Sequence, residues 1–354
     1  MSDSQSGNPV KYRYSERGMI VGTRFYDEYT RTSGVDGGWS RYDTRITRGD
    51  GTVVFAQDGC LFPSAFSQRA ANIVASKYFY GDVDNTSGNV RSGARESSMD
   101  QLVERVVGTI TDWGREDGYF SSAEDADRFK NELKALCLGQ WGAFNSPVWF
   151  NVGLSQYYGI KGSPTGWHWN GQEAVPNTDS YAHPQASACF IVGIDDTLNS
   201  IMDVAKTEAM LFKYGSGVGC DLTPLRSTRE KLAGGGKPSG PISFFTVFDA
   251  VASVIKSGGK VRRAARMQTL SCDHPDVMAF ASCKRLEEAK AQVLIAGGYA
   301  SDFNGEAYSS VKFQSTNTSI RGSDAFMDAV ENGLDWKTVA CGGGPDYEAG
   351  ATVD

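Results

Sequence analysis

From Phe144 onward, short apolar runs alternate with amphipathic segments that end at glycine. This rhythm predicts successive strand–helix units, because a buried strand reads as a short apolar run and glycine commonly closes a helix. The predicted strands are Ser187 to Ile194, Arg266 to Cys272 and Ser310 to Gln314, and the predicted helices are Leu198 to Phe212, Ile242 to Lys256 and Ser323 to Asn332. We therefore predict an α/β domain over residues 144–354.

Residues 1–143 carry helix signals instead. Ser121-Ser122-Ala123-Glu124 has the residue types of a capping box, and Phe129, Leu133 and Leu136 follow it at helical spacing. A helix that starts there would bury one apolar face. We predict a mainly helical amino-terminal domain over residues 1–143.

Composition excludes several classes of protein. Hydrophobic residues make up 40% and charged residues 22% of the 354 residues, as in a folded globular chain. The net charge of −7 argues against a protein that coats nucleic acid, which needs a basic surface. No run approaches the roughly 20 apolar residues of a membrane span, and the first residues lack a signal-peptide core.

The seven cysteines contain no CxxC pair, and the three histidines lack metal-site spacing. We therefore predict reduced thiols in the cytoplasm, with neither a disulfide framework nor a metal site. A free cysteine is most often a small core residue. On its own, that interpretation applies to Cys189 in the first predicted strand as much as to Cys220, Cys272 and Cys283.

Three glycine-rich loops lie where predicted strands meet helices, at residues 215–219, 234–240 and 258–263. Glycine lets backbone N–H groups approach an oxyanion, although none of the loops has Walker A or GxGxxG spacing. The third loop adds five cations within eleven positions that contain no acidic residue. These are Lys256, Lys260, Arg262, Arg263 and Arg266. They predict a local anion site, and the alternative is a solvated basic face.

Eight blocks of sequence, in order, resemble the large catalytic chain of class II ribonucleotide reductases. They are FNSPVWFNVG (144–153), PQASACFI (184–191), DDTLNSI (195–201), KYGSGVGCDLTPLR (213–226), LAGGGKPSGPISF (232–244), IKSGGKVRRAARM (255–267), HPDVMAF (274–280) and SVKFQSTNTSIR (310–321). Further blocks resemble the branch that depends on vitamin B12. They are KYFYG (78–82), RESSMDQLVERVVGTITDWG (95–114) and DGYF (117–120).

This resemblance implies a helical amino-terminal domain followed by the first half of a ten-stranded α/β barrel. It also implies reduction of ribonucleoside diphosphates by a thiyl-radical mechanism, with adenosylcobalamin as cofactor. A deoxynucleoside triphosphate would act as allosteric effector, and a thioredoxin-like protein as reductant. The expected assembly is a homodimer.

The resemblance also implies roles for individual residues. Cys189 matches the redox cysteine of the first barrel strand, which reduces the ribose and ends in a disulfide. The residues matching substrate-binding positions are Ser146, Ala188, Cys189 and Gly217. Those matching the effector site are Asp196, Thr197, Leu198 and Arg226. Those matching the loop that connects effector to substrate are Gly258, Gly259, Lys260, Arg262 and Arg263.

The sequence after Arg321 departs from the family pattern. It has no Asn-x-Cys-x-Glu loop, no second half of the barrel and no partner for Cys189, and the surroundings of Cys341 match neither missing cysteine. We expect a fragment or one piece of a split gene, inactive by itself. The uncovered sheet edges of half a barrel favour aggregation or dimerisation.

Two alternatives stay open. One is the class I branch, in which a separate radical-generating subunit replaces cobalamin. The other is a non-catalytic relic that binds deoxynucleoside triphosphates. Reduction that appears only after a carboxy-terminal fragment is added would distinguish an enzyme piece from such a sensor.

Overall fold

The computed structural model describes residues 12–27, 38–47, 51–82, 84, 90, 94–232, 234–255, 264–301 and 305–341, with the backbone of 352–353. By its internal contacts the chain divides into two compact units, Met1–Ala186 (unit 1) and Ser187–Asp354 (unit 2). The predicted boundary between residues 143 and 144 therefore falls inside unit 1.

Unit 1 contains a long β-hairpin. Strand β1, Trp39–Thr47, pairs antiparallel with β2, Val53–Pro63. Aromatic and β-branched residues, which favour strands, recur along both. The prediction of a mainly helical domain missed this hairpin, because β1 completely buries Thr44 alone and interleaves its apolar residues with charges, so that its apolar periodicity is weak.

The helices of unit 1 are α1 (Gln68–Lys77), α2 (Met99–Glu116), α3 (Ala123–Leu138), α4 (Ser146–Asn151) and α5 (Leu154–Tyr158). Helix α3 begins within one residue of the predicted start, since its N-cap is Ser122, whose hydroxyl accepts the Asp125 N–H at 3.1 Å, rather than Ser121 of the predicted capping box. A short hairpin follows the helices, with β3 at Trp167–Trp169 and β4 at Ala174–Pro176. The core gathers buried side chains from β2, α1 and α2, among them Phe62, Ala75 and Val106.

Unit 2 is built on a four-stranded parallel sheet in the order β5-β6-β7-β8. Its elements are β5 (Cys189–Val192), α6 (Leu198–Lys213), β6 (Gly217–Asp221), α7 (Gly240–Val254), β7 (Arg266–Ser271), α8 (Val277–Ala296), α9 (Glu306–Ser309), β8 (Thr316–Arg321), α10 (Asp324–Glu331), β9 (Thr338–Val339) and β10 (Thr352–Val353). Strands adjacent in this sheet are consecutive in sequence, as in an α/β barrel wall, whereas doubly wound sheets reverse direction.

The two faces of this sheet have different surroundings, because side chains alternate along each strand. Val192, Cys220 and Leu270 belong to one face and pack into the core with α6, α7 and α8. Cys189 and Ile191 belong to the opposite face, where Ile191 is 92% exposed. We call the face of Cys189 and Ile191 the open face and the other the covered face.

One predicted strand is wrong in position. Residues 310–314 follow α9 as irregular chain, and the strand begins at Thr316 instead. Phe313 has a φ of 64°, which a strand does not accept, and its N–H donates to the Asp249 carboxylate at 2.6 Å. The hydrogen bond from Phe313 to Asp249 therefore holds residues 310–314 outside the sheet. The other predicted strands and helices of unit 2 are confirmed to within a few residues.

Candidate functional site

Cys189 is the exposed thiol of this chain. It begins β5 on the open face, whereas Cys341 is half-buried and the other five cysteines are buried. Burial raises the pKa of Cys220 and of Cys341 to about 12, which disfavours the reactive thiolate there. The interpretation of Cys189 as a buried core residue is therefore wrong, and it is the thiol that solvent reaches most readily.

Ala188 and Gly217 lie directly beside Cys189. Gly217 stands opposite Cys189 in the β5–β6 register, and its N–H donates to the Ala188 carbonyl at 2.6 Å. A Cβ added at Gly217 would come within 3.0 Å of the Ala265 carbonyl oxygen, so a larger residue would have to displace backbone. The structure thus brings together the three predicted substrate residues of unit 2 at the amino-terminal edge of the sheet.

Ser146, the remaining predicted substrate residue, belongs to unit 1. It is the first residue of α4, whose N-cap is Asn145. Its hydroxyl lies 3.2 Å from the Tyr78 hydroxyl, so its position is set by a neighbouring aromatic residue. The role of Ser146 in substrate binding stays a prediction.

The four predicted effector residues meet at the amino terminus of α6. The Thr197 side chain caps this helix by accepting the Ser200 N–H at 3.2 Å, and Leu198 is its first residue. Arg226, which follows β6, forms an ion pair with Asp196. The helix terminus adds positive partial charge at this point. These residues therefore lie at the carboxyl-terminal edge of the sheet, at the far end of β5 from Cys189.

The predicted anion loop is mostly outside the described residues. These undescribed positions are Lys256, Gly258, Gly259, Lys260, Arg262 and Arg263. Arg266 is described, and its assignment to the anion cluster is wrong. As the first residue of β7 it belongs to the covered face, where its fully buried Nη2 donates to Glu208 Oε1 of α6 at 2.7 Å. Arg266 is buried because strand alternation places it on the covered face and because Glu208, 58 residues earlier, neutralises its charge there.

Within the described ranges, no three His, Cys, Asp or Glu side chains form a group that could hold a metal ion. In the same ranges, no helix has both the length and the apolar character needed to cross a membrane.

Known relatives of this chain are vitamin B12-dependent ribonucleotide reductases. The chain is 48% identical over 335 residues to the enzyme of Rhodopirellula baltica, which covers 93% of this chain and 32% of that protein. It is 42% identical over 296 residues to the enzyme of Streptomyces coelicolor, covering 83% of this chain and 27% of that protein. The chain thus spans about a third of the length of these curated relatives.

A third relative is the vitamin B12-dependent ribonucleoside-diphosphate reductase of Thermoplasma acidophilum, 36% identical over 137 residues, or 36% of this chain and 18% of that protein. Two family models also match. Residues 187–350 match the ribonucleotide reductase barrel domain, and residues 40–140 match the class II vitamin B12-dependent ribonucleotide reductases. The chain belongs to the class II ribonucleotide reductase family.

Membership in the class II ribonucleotide reductases favours the predicted B12-dependent branch over the class I branch. The barrel-domain match begins at residue 187, where unit 2 begins, and it includes Cys189 and the effector cluster. Ser146 falls between the two matched regions. Unit 2 and the match to the barrel-domain model therefore begin at the same residue, Ser187.

Sequence reasoning missed an ion pair on the open face. Arg321 Nη1 lies 3.3 Å from Asp221 Oδ2, at the carboxyl ends of β8 and β6. The sequence did not predict this ion pair because the last strand was placed at residues 310–314, which puts Arg321 in a loop. The alternation in Thr316–Arg321 is the signal that would have revealed it.

Proposed function

We propose that this chain is the amino-terminal part of a cobalamin-dependent ribonucleotide reductase that converts ribonucleoside diphosphates to 2′-deoxyribonucleoside diphosphates for DNA synthesis. The observation that carries this proposal is the exposed Cys189 thiol beside Gly217 on the open face of a parallel sheet. The diphosphate substrate is supported by the name of the Thermoplasma acidophilum relative. The remaining strands of a ten-stranded barrel would come from the rest of the protein.

The chemistry assigns Cys189 a reducing role. A thiyl radical on another cysteine removes the 3′ hydrogen of the ribose and later returns it, while the 2′-hydroxyl leaves as water. Two further thiols each give up one electron and one proton and join as a disulfide, so the reaction balances. Cys189 supplies one of these thiols, and a thioredoxin-like dithiol afterwards reduces the disulfide.

Adenosylcobalamin, when bound, supplies the initial radical, which acid–base side chains cannot generate. The open face fits a large flat ligand, because Ile191, Gly219 and Met267 form one row across three strands. Both apolar side chains are exposed, and a Cβ at Gly219 would meet no atom nearer than 3.9 Å. This row would hold the cofactor or the sugar.

Histidine ligation of cobalt from unit 2 does not fit the structure. His274, the histidine of this unit, is buried, its Nε2 lies 2.8 Å from the Leu225 carbonyl oxygen, and its Nδ1 accepts the Asp276 N–H at 3.0 Å. Both ring nitrogens are therefore committed to the fold. The cofactor would be held here through shape and apolar contact.

The amino terminus of α6 would bind the deoxynucleoside triphosphate effector. Its helix dipole and Arg226 favour an anion, and the Asp196–Arg226 ion pair would open as phosphate replaces the carboxylate. The loop that contains Lys260, Arg262 and Arg263 would then carry the effect to the substrate. Because β5 has Cys189 at one end and the effector cluster after the other, this strand connects the two sites.

The outer face of α6 supports the proposed homodimer. Leu198, Met202 and Met210 recur at multiples of four residues, and all three are exposed. Exposed apolar residues on a surface helix, here with Lys206 between Met202 and Met210, are suited to pairing with their own copy about a two-fold axis. The effector site would then lie beside the dimer contact.

A reconstitution assay tests the proposed function. The chain would be assayed for reduction of a ribonucleoside diphosphate with adenosylcobalamin, a dithiol and an effector, alone and with the carboxy-terminal part of a relative. We expect turnover only with both parts. The Cys189→Ala variant should abolish it, whereas Cys220→Ala, which alters a buried thiol on the next strand, should retain it.

Turnover that survives Cys189→Ala would disprove the assigned reducing role. Turnover by the chain alone would show that it needs no further part. If no pairing gives turnover while a deoxynucleoside triphosphate still binds, the better function is that of a non-catalytic nucleotide sensor. That second candidate is favoured by one observation, the complete assembly of the four effector residues within this chain.

A further inference from the structure

The open face of the sheet in unit 2 changes from apolar to polar along its strands. Toward the amino ends of the strands lie the exposed thiol and the apolar row described above. Toward the carboxyl ends lie polar side chains that the register of β6, β7 and β8 aligns on the same face, namely Asp221, Thr269, Ser319 and Arg321. We call these four residues the polar half. Asp221 and Thr269 each follow a residue of the apolar row by two positions, which places them on the face of that row.

An ion pair crosses the polar half. Arg321 Nη1 of β8 lies 3.3 Å from Asp221 Oδ2 of β6, and the exposed fractions of the two side chains are 64% and 35%. The other carboxylate oxygen, Asp221 Oδ1, accepts the Thr223 N–H at 3.1 Å and the Thr223 hydroxyl at 2.5 Å. These bonds orient the carboxylate. Because a carboxylate oxygen has two lone pairs and a guanidinium has five N–H donors, both groups keep hydrogen-bonding capacity for a ligand.

The position of this ion pair indicates a ligand site. Helices cover the opposite face of the sheet, so the open face is the one that a closed barrel turns inward. The interior of an α/β barrel is normally filled by apolar side chains, and a charged pair enclosed there is often less stabilising than apolar residues in the same place. The ligand sites of α/β-barrel enzymes lie at the carboxyl ends of the strands, where Asp221 and Arg321 stand.

The chemistry of the polar half fits a neutral sugar with two neighbouring hydroxyls. The carboxylate and the guanidinium neutralise each other, so the polar half does not select a charged ligand. A carboxylate accepts hydrogen bonds from ribose hydroxyls, as acidic residues do in dinucleotide-binding proteins. Arg321 can donate to the ring oxygen of the same sugar. A base attached to this ribose would lie over the apolar row, so a nucleoside matches both halves of the open face.

The distance along the strands separates this nucleoside from the one that Cys189 would reduce. Asp221 lies four residues along β6 from Gly217, the register partner of Cys189. At 3.3 Å per residue, about 13 Å separates the two ends of the open face. A ribose in contact with the Cys189 thiol is therefore out of reach of the Asp221 carboxylate. Adenosylcobalamin carries a second nucleoside, its 5′-deoxyadenosyl group.

We propose that the polar half binds the ribose of the 5′-deoxyadenosyl group of the cofactor. Asp221 accepts hydrogen bonds from the two ribose hydroxyls, and Arg321 orients this carboxylate and donates to the sugar ring. The identity of the nucleoside rests on the proposed cobalamin-dependent function, whereas the binding of a sugar with two neighbouring hydroxyls rests on the geometry of the sheet.

Calorimetric titration of the whole chain tests the proposal with 5′-deoxyadenosine and 2′,5′-dideoxyadenosine, which lacks one of the two hydroxyls. We expect 5′-deoxyadenosine to bind about tenfold more tightly, because the other probe loses a hydrogen bond to a charged group. In the Asp221→Asn variant the affinity for 5′-deoxyadenosine should fall by about the same factor, and the preference between the probes should shrink. Asp203→Asn is the matched control, since it changes an exposed carboxylate on α6, a helix of the covered face.

The pair of probes separates binding from a purely structural role. If Asp221 only supported the fold, Asp221→Asn would weaken both probes equally. Arg321→Gln provides a second variant, which should weaken both probes by a similar factor because the sugar ring is common to them. An unaltered circular dichroism spectrum would show that the fold persists in each variant. The proposal is overturned if 5′-deoxyadenosine does not bind, if wild type binds both probes equally, or if Asp221→Asn keeps the full preference.

Two further titrations identify the source of the ribose. Asp221→Asn should weaken adenosylcobalamin and leave hydroxocobalamin, which lacks the nucleoside, unchanged, and equal losses would overturn the proposal. A ribonucleoside diphosphate should leave the binding of 5′-deoxyadenosine unchanged, because its own ribose lies about 13 Å away. Displacement would instead assign the polar half to the substrate. All readouts are heats of binding, so this proposal can fail while the reconstituted enzyme turns over, and it can hold where turnover fails.

Discussion

Among the described residues, each unit contains one glutamate–arginine ion pair with both side chains completely buried, yet the two pairs have different surroundings. In unit 1, Arg105 Nε lies 2.8 Å from Glu96 Oε1, and in unit 2, Arg266 Nη2 lies 2.7 Å from Glu208 Oε1. All four side chains are fully buried. A buried ion pair repays its desolvation only when further hydrogen bonds satisfy the remaining groups, so the partners around each pair decide what it contributes.

The pair in unit 1 belongs to a complete network. Arg105 Nη1 also donates to the Val152 carbonyl at 2.6 Å. The Glu96 carboxylate also accepts the Tyr80 N–H at 2.7 Å and the Tyr158 hydroxyl at 2.8 Å. This network joins α2, α5 and the chain on either side of them. The charges therefore fix several elements at once.

The pair in unit 2 lacks such partners. Among the described residues, Glu208 bonds through its side chain with Arg266 alone, and Arg266 Nη1 and both amide atoms of Gln268 are buried without a partner. The guanidinium instead lies 4.4 Å from the centre of the Phe248 ring. Burial raises the pKa of Glu208 despite the opposing effect of Arg266. This pair fixes the start of β7 to α6 at a cost in stability.

The largest expected difference concerns replacement of each pair by apolar residues. Glu96→Leu/Arg105→Met leaves the Val152 carbonyl, the Tyr80 N–H and the Tyr158 hydroxyl without partners, at roughly 1–3 kcal/mol each. We expect the free energy of unfolding to fall by at least about 3 kcal/mol. Glu208→Leu/Arg266→Met orphans no further group, and should leave stability within about 1 kcal/mol of wild type or raise it. Urea unfolding measures both.

The single variants provide the control for this comparison. Arg105→Met and Arg266→Met each leave a buried carboxylate without its counter-charge, so each should cost about 3–5 kcal/mol. If the single variants lose similar unfolding free energy while the double variants differ, the difference comes from the hydrogen bonds around each pair and not from the ion pair itself. Equal losses in the two double variants would refute the contrast.

A smaller effect is expected at two buried glutamines. Both polar atoms of the Gln57 amide are hydrogen-bonded, because Nε2 donates to the Glu96 carbonyl at 2.8 Å and Oε1 accepts Arg95 Nε at 3.0 Å. Gln57→Met should therefore cost about 1–3 kcal/mol. Gln268→Met removes an amide that has no partner, and should raise stability by about 1 kcal/mol. Thermal unfolding would show shifts of opposite sign, and a loss in both variants would argue against the comparison.

Local signals account for the parts of this fold that the sequence predicted. The helix caps at Ser122 and Ser323 depend on residues within three positions, so α3 and α10 begin within one residue of the predicted starts. The family blocks placed Cys189 and Gly217 in one site, and the register of β5 and β6 brings them together. Their roles in the reaction stay predictions.

Long-range partners account for the parts that the sequence did not predict. Arg266 resembled a surface cation because Glu208, 58 residues earlier, is not visible in its local pattern. The run at residues 310–314 resembled a strand because the Asp249 carboxylate that binds the Phe313 N–H lies 64 residues away. Both errors concern polar groups whose partner is a different element of unit 2. Apolar periodicity carries no information about such pairs.

One carboxyl in each unit should make the free energy of unfolding depend on pH, and the dependence should have opposite sign in the two units. The effect on stability is expected to be smaller, because each case involves a single proton. The Asp125 carboxylate of unit 1 accepts the Ser122 hydroxyl at 2.6 Å, the Val21 N–H at 2.9 Å and the Ser121 hydroxyl at 2.9 Å. These bonds lower the pKa of Asp125 to about 2. In unit 2, burial raises the pKa of Glu208 above its ordinary range.

Because protonation of Asp125 breaks bonds made by the folded state, its contribution is present above pH 4 or so and is lost as pH falls toward about 2. The folded state instead favours protonated Glu208, so stability should fall as pH rises through and above the ordinary carboxyl range. Urea unfolding across this pH range would measure both slopes. Asp125→Asn should remove the acid-side loss, and Glu208→Gln should remove the opposite slope. If both variants changed the pH dependence in the same direction, the carboxyls of the two units would not differ in the way their partners indicate.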